Sequence, residues 1–212
     1  MSKSSETIFS AFDKATSNKP EQQLEFVSYI PDILQTFPKE WIENQFIPFL
    51  STWLPVNDQK IVPAITPFVT QIATIINSLD PLSPLVEAIV CGDMKENNKQ
   101  LASSILKLKI SRSSSKSDSS TQSITTTSCI TFLTNLSNSK FDCVRAFVPS
   151  LIPIIRRDEQ QKSIVSVLVY DPSFKVRLEV AKLISRLKSD SLSSQIAVTL
   201  AGDSEGQIRA IV

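Results

Sequence analysis

The residues best placed to do chemistry in this sequence are arginines and aspartates that recur together. Arg145, Arg177 and Arg209 are evenly spaced, each directly after a β-branched residue, in Val144-Arg145, Val176-Arg177 and Ile208-Arg209. Asp171 and Asp203 each lie six positions before the second and third arginines, in YDPSFKVR and GDSEGQIR. A guanidinium facing a carboxylate gives planar, two-pronged ion pairing, which is the chemistry of recognition and positioning and not of bond making. Asp93 and Lys99 repeat the six-position spacing as a weaker copy.

Composition removes most catalytic chemistries. Histidine is absent, so His-based triads, helical zincin pairs and mixed Cys/His zinc sites have no residues to build them. Three glycines, Gly92, Gly202 and Gly206, are too few and too scattered for a phosphate-cradling loop. Cys91, Cys129 and Cys143 form no CxxC pair and are odd in number, which argues for reduced, mostly packed thiols and against a disulfide framework or a four-thiolate metal site. The composition predicts a protein without enzymatic activity, cofactor or metal. With 22 basic and 21 acidic residues the net charge is +1, which offers no broad surface for nucleic acid or an anionic membrane. MSKSSETIFSAF lacks the apolar run of a signal peptide, and no stretch of about 18 apolar residues follows. A cytoplasmic or nuclear location is expected.

The paired residues need elements that repeat with them. Self-similarity at a period of about 20–50 residues marks supersecondary units that bury their apolar faces only by stacking on neighbours. Apolar residues recur at helical spacing along the whole chain, so the expected fold is all-α, with about six helical hairpins. The first pairs 5–16 with 20–36, and Pro20 fits a first helical turn. The second pairs 39–54 with 58–78, Pro55 closing one helix and Asp58 capping the next, with kinks expected at Pro48, Pro63 and Pro67. The third runs from 81 to 109. The remaining three have first helices near 122–137, 159–169 and 191–201, and their second helices follow the three arginines. The sixth is incomplete at GQIRAIV, which suggests a truncated product or a partial gene sequence.

The step from Lys99 to Arg145 is longer than the 32-residue period of the later copies, and SRSSSKSDSSTQSITTTS falls inside it. Serine and threonine fill 13 of positions 111–128, so little apolar area is available to offset ordering entropy, and a flexible insertion is expected there. It divides units one to three, residues 1–110, from units four to six, residues 129–212, of one continuous array. Arg112, two positions before Ser114, also suits a basic-directed kinase, whose phosphate would turn the loop acidic. An unselected low-complexity insert is the competing reading.

Within a repeat, the valine or isoleucine before the arginine faces the hairpin partner, and LEVAKLISRL after Arg177 carries the apolar stripe. The aspartate sits between the two helices, where it caps the N–H groups of the second. Stacking then brings one repeat's arginine beside the next repeat's aspartate. Repetition favours this structural role over direct ligand contact. Trp41 and Trp53 each occur once; Trp41 is expected to pack, whereas Trp53, in STWLPVND, is either a packed residue or an exposed aromatic anchor for a partner.

YDPSFKVRLEVAKLI and AGDSEGQIRAIV resemble the Asp…Val-Arg motif of the HEAT-repeat family. ENQFIPFLSTWLPVNDQKIV and the order of the units are similar to the first five or six repeats of the scaffolding A subunits of protein phosphatase 2A. The resemblance implies a right-handed α-solenoid of HEAT-type hairpins whose intra-repeat turns bind protein partners. By that resemblance the N-terminal turns hold a regulatory B-type subunit, and the site for the catalytic subunit is missing. The candidate partner-binding residues are Trp53, Pro55, Asp58, Asp93, Phe141, Asp171, Pro172, Arg177, Asp203 and Arg209. Leu178 and Ala210 stand where the family often has a second basic residue, and the 32-residue period is short for it. A HEAT adaptor for nuclear transport or the cytoskeleton is the alternative.

Overall fold

A computed structural model describes residues 5–54, 61–91, 100–107, 110, 119–154, 158–185 and 191–212. Among them every regular element is helical, as the apolar periodicity predicts. The chain divides into two compact units, Met1–Ser115 and Lys116–Val212.

In the first unit, Ser5–Ala15 packs on Pro20–Val27, with Pro20 in the first helical turn. The expected single helix over 20–36 is instead two, because Pro31 has no N–H and its ring would strike the carbonyl of Val27; the chain breaks at Ser28-Tyr29 and restarts as Ile30–Thr36. The expected helix over 39–54 is continuous but widens to a π turn at Ile42–Phe46, between Lys39–Trp41 and Ile47–Trp53. Pro48 follows that turn, so the wider winding falls where its missing donor and ring need room. Ile61–Ile75 contains Pro67 and buries Ile61, Ile65, Val69 and Ile72 along one stripe. A 3-10 turn, Asp80–Leu82, leads into Ser83–Cys91, and residues 100–107 are helical.

Aromatic rings fill the first core. The Phe12 ring meets Phe26 at 5.5 Å and Phe49 at 5.2 Å, and Phe37 stacks on Trp41 at 4.2 Å. Trp53 is half-buried: its ring stands edge-on to Phe26 at 5.0 Å, and its Nε1–H donates to the Ala15 carbonyl at 2.6 Å. That bond satisfies a carbonyl at the end of the first helix, which the helix itself leaves without a partner.

The second unit begins with Ser119–Ser137, a helix that includes the second half of the segment expected to be a flexible loop over 111–128. Its inner face carries Cys129, Phe132, Leu133 and Leu136, all fully buried, and Thr131 donates its hydroxyl to the Thr127 carbonyl at 3.1 Å. Helix packing thus extends into a serine- and threonine-rich sequence whose composition alone argues for a loop. Residues 111–118, with Arg112 and Ser114, lie outside the described residues. Asp142–Phe147 follows, then 3-10 turns at Val148–Ser150 and Ile152–Ile154. The long helix expected after Arg145 is therefore absent, since Pro149 cannot donate to the Arg145 carbonyl and its ring crowds it. The next pair is Asp158–Leu168 and Phe174–Ile184, and the last is Ser191–Ala201 and the short Gly206–Arg209. Phe174–Ile184 contacts Asp142–Phe147 as well as Ser191–Ala201 and Gly206–Arg209, so the three arginine-bearing elements stack in chain order within this unit.

Candidate functional site: a ladder of turns

Three turns, at 139–145, 171–177 and 203–209, are built alike down to single hydrogen bonds. Each follows a buried leucine: the N–H groups of Ser139, Asp171 and Asp203 donate to the carbonyls of Leu136, Leu168 and Leu200 at 3.2, 3.2 and 3.1 Å. Two positions on, Phe141, Ser173 and Glu205 adopt extended backbone as the helix N-caps. Their N–H groups donate to Ser139 Oγ at 3.3 Å, Asp171 Oδ1 at 2.8 Å and Asp203 Oδ1 at 2.9 Å. The sequence predicts that the aspartates cap the following helices. They instead fold back on the N-cap residue's own N–H, an Asx turn that shapes the approach to the helix. Val144, Val176 and Ile208 then enter the core, each fully buried.

The arginines tie successive turns together. Arg145 donates from Nε to Asp171 Oδ2 at 2.6 Å and from Nη2 to Asp171 Oδ1 at 3.1 Å. Arg177 treats Asp203 the same way, at 2.7 and 3.0 Å. In both pairs the spacing is 26 residues, so each arginine holds the acid of the next turn, as the stacking argument predicts. The remaining nitrogen, Nη1, binds the arginine's own turn: Arg145 to the Ser139 carbonyl at 2.8 Å, Arg177 to those of Asp171 and Pro172 at 2.8 and 3.2 Å. Arg209 repeats this half of the pattern, with Nη1 at 2.5 Å from the Asp203 carbonyl and 2.8 Å from that of Ser204.

The pairs are largely withdrawn from water, with side-chain exposures of 15% and 6% for Arg145 and Asp171, and 14% and 7% for Arg177 and Asp203. Hydrogen bonding to the partner carboxylate raises both guanidinium pKa values above their ordinary range, against a smaller opposing effect of burial. The Arg177 bonds hold the Asp203 carboxyl below its ordinary value, and the Glu205 N–H adds to this. Such pairs position the turns. A second tie joins the first two turns, since Ser173 Oγ donates to Asp142 Oδ2 at 3.1 Å and Lys175 lies 3.8 Å from the same oxygen.

Of the ten candidate residues, Asp171, Arg177, Asp203 and Arg209 are brought together by the ladder. Phe141 and Pro172 lie exposed on the turns beside them. Trp53 belongs to the aromatic core of the other unit. Pro55, Asp58 and Asp93 lie outside the described residues. Sequence reasoning left Arg145 out of the candidate set, and it reached Ser139 only as the start of a contact turn running to Phe141. Register exposes both, because Ser139 stands one repeat before Asp171 and performs the turn-closing half of its work without the charge.

Between the last two turns lies an open depression of about 420 Å³, lined among others by Tyr170, Pro172, Thr199 and Ser204. Tyr170 is 73% exposed at its rim, and Phe174, at 41%, begins the adjoining helix. Among the described residues no cluster of acidic or sulfur side chains is set to hold a metal ion, and no helix is long and apolar enough to cross a membrane. The chain matches no family model and no curated protein.

Proposed function

We propose that this chain is a non-enzymatic scaffold or regulatory subunit, an α-solenoid of HEAT-type hairpins that binds subunits of protein phosphatase 2A through its intra-repeat turns. The observation that carries the reading is the repeated turn, in which three evenly spaced stretches share one hydrogen-bond plan and successive turns are locked by paired arginine and aspartate. Locked turns form a rigid row of surface loops, and a rigid row lowers the ordering cost of binding a large partner. Asp171, Arg177 and Asp203 are already engaged with one another, which leaves the exposed Phe141, Tyr170, Pro172 and Phe174 to meet the partner. The stretch ENQFIPFLSTWLPVNDQKIV and the order of the units support the phosphatase assignment over other scaffolds.

Affinity capture of the tagged full chain from its own cells, followed by mass spectrometry, tests this reading. Regulatory B-type subunits that disappear in a Tyr170→Ala, Phe174→Ala variant would support it. Transport factors or cytoskeletal proteins in their place would make the chain a different HEAT adaptor.

A further inference from the structure

Each of the three turns ends at a residue in extended backbone, Phe141, Ser173 or Glu205, from which a helix departs. Two of the departures carry an acid at the helix start, Asp142 as the opening residue of its helix and Glu205 at the position just before its own. The middle helix, Phe174–Ile184, has no acid in its first turn, and Ser173 gives it no side-chain hydrogen bond. The Ser173 hydroxyl is turned back to the preceding turn instead, donating to Asp142 Oδ2 at 3.1 Å. Lys175, with 64% of its side chain exposed, lies 3.8 Å from the same oxygen. Ser173 itself is half-buried between Pro172 and Phe174, both exposed.

We propose that Ser173 is a phosphorylation site for a serine kinase that reads the lysine two positions after its target, and that the phosphate loosens the first turn from the second. The kinase moves the terminal phosphoryl group of ATP to Ser173 Oγ: a new O–P bond forms, the bond to the ADP oxygen breaks, and the hydroxyl proton passes to a base of the kinase. The product no longer donates to Asp142, and a strongly anionic group stands beside a carboxylate where a donor stood before. Asp142, 43% exposed in its side chain, turns toward water, and Lys175 changes partner from the carboxylate to the phosphate. The phosphate meets the positive end of Phe174–Ile184 from the N-cap position that Glu205 holds one repeat later, so the second turn keeps its shape. The Arg145–Asp171 pair remains, and the first turn loses the second of its ties to the next. The site depends on the ladder and not on the phosphatase assignment.

The tagged full chain is isolated from its own cells with phosphatases inhibited, and its phosphates are mapped by tandem mass spectrometry. Phosphate on Ser173 is expected, at an occupancy about tenfold lower in the Lys175→Ala chain. The consequence is read by amide hydrogen exchange on the full chain with phosphoserine encoded at position 173. Protection over residues 139–147 should fall about tenfold below that of the parent, and below that of Ser173→Ala, which loses the bond without adding charge, while 203–209 stays as it was. Asp142→Asn in the phosphorylated chain should restore most of the protection, because an amide donates to the phosphate where the carboxylate repels it. The proposal is overturned if Ser173 is found unmodified, or if Lys175→Ala leaves its occupancy unchanged. It is equally overturned if the phosphate alters exchange over 139–147 no more than Ser173→Ala does, or if Asp142→Asn restores nothing.

Discussion

Arg177 grips the Asp203 carboxylate with two parallel hydrogen bonds, at 2.7 and 3.0 Å, while its third nitrogen is tied to the carbonyls of its own turn. One side chain therefore fixes both the shape of its turn and the position of the next. Because the acid is 26 residues ahead in sequence, the contact joins neighbouring units and not parts of one.

Replacing that arginine should separate shape from charge. Arg177→Ala leaves the Asp203 carboxylate without its partner and should destabilise the chain by about 2–3 kcal/mol. Arg177→Lys keeps the charge but has no fork to match two oxygens, and should recover less than half of the loss. Urea unfolding of the three proteins at neutral pH checks this; full recovery by lysine would mean that charge alone matters.

Acid should act on the same contact with a definite sign. The folded-state pKa of Asp203 lies below its ordinary value, so its contribution is present in full above the unfolded pKa, about 4, and is lost as pH falls through the lower folded value. The gap in unfolding free energy between the parent chain and Asp203→Asn should accordingly be constant from pH 7 to 5 and shrink below pH 4. Chemical denaturation at pH 7, 5, 4 and 3 measures it. A gap that widened on acidification would contradict the assignment.

Trp53 offers a test in the other unit. Its indole N–H satisfies the Ala15 carbonyl at the end of the first helix, and its ring packs on Phe26. Trp53→Phe keeps most of the ring contact and loses the hydrogen bond, so a loss of about 1–2 kcal/mol is expected. Thermal unfolding followed by circular dichroism reads this out, and an unchanged midpoint would mean the bond contributes nothing.

The fold class and the ladder were legible because both are periodic. Valine or isoleucine before arginine at 144, 176 and 208 marks the buried position and the pairing position of each unit, and stacking follows from the even spacing of the copies. What the pattern hides is local. Pro31 splits a helix whose apolar stripe reads as continuous, and Pro149 stops the one after Arg145, because backbone donors do not enter a hydrophobicity count. Ser119–Ser137 forms a helix despite its composition, since Cys129, Phe132, Leu133 and Leu136 bury a face that the serine- and threonine-rich start of the segment obscures. The aspartates' true partners, the N–H groups of Ser173 and Glu205, depend on backbone geometry two positions away, which spacing to the arginine does not encode.

The ladder is tested most directly by a pair of double-mutant cycles sharing one residue. Asp203 offers its carboxylate to Arg177 and only its backbone carbonyl to Arg209. The cycle between Arg177→Ala and Asp203→Ala should return a coupling of about 1–3 kcal/mol, whereas that between Arg209→Ala and Asp203→Ala should return less than about 0.5 kcal/mol, because alanine keeps the carbonyl. Equal couplings in the two cycles, or none in the first, would contradict a ladder in which each arginine holds the acid of the following turn.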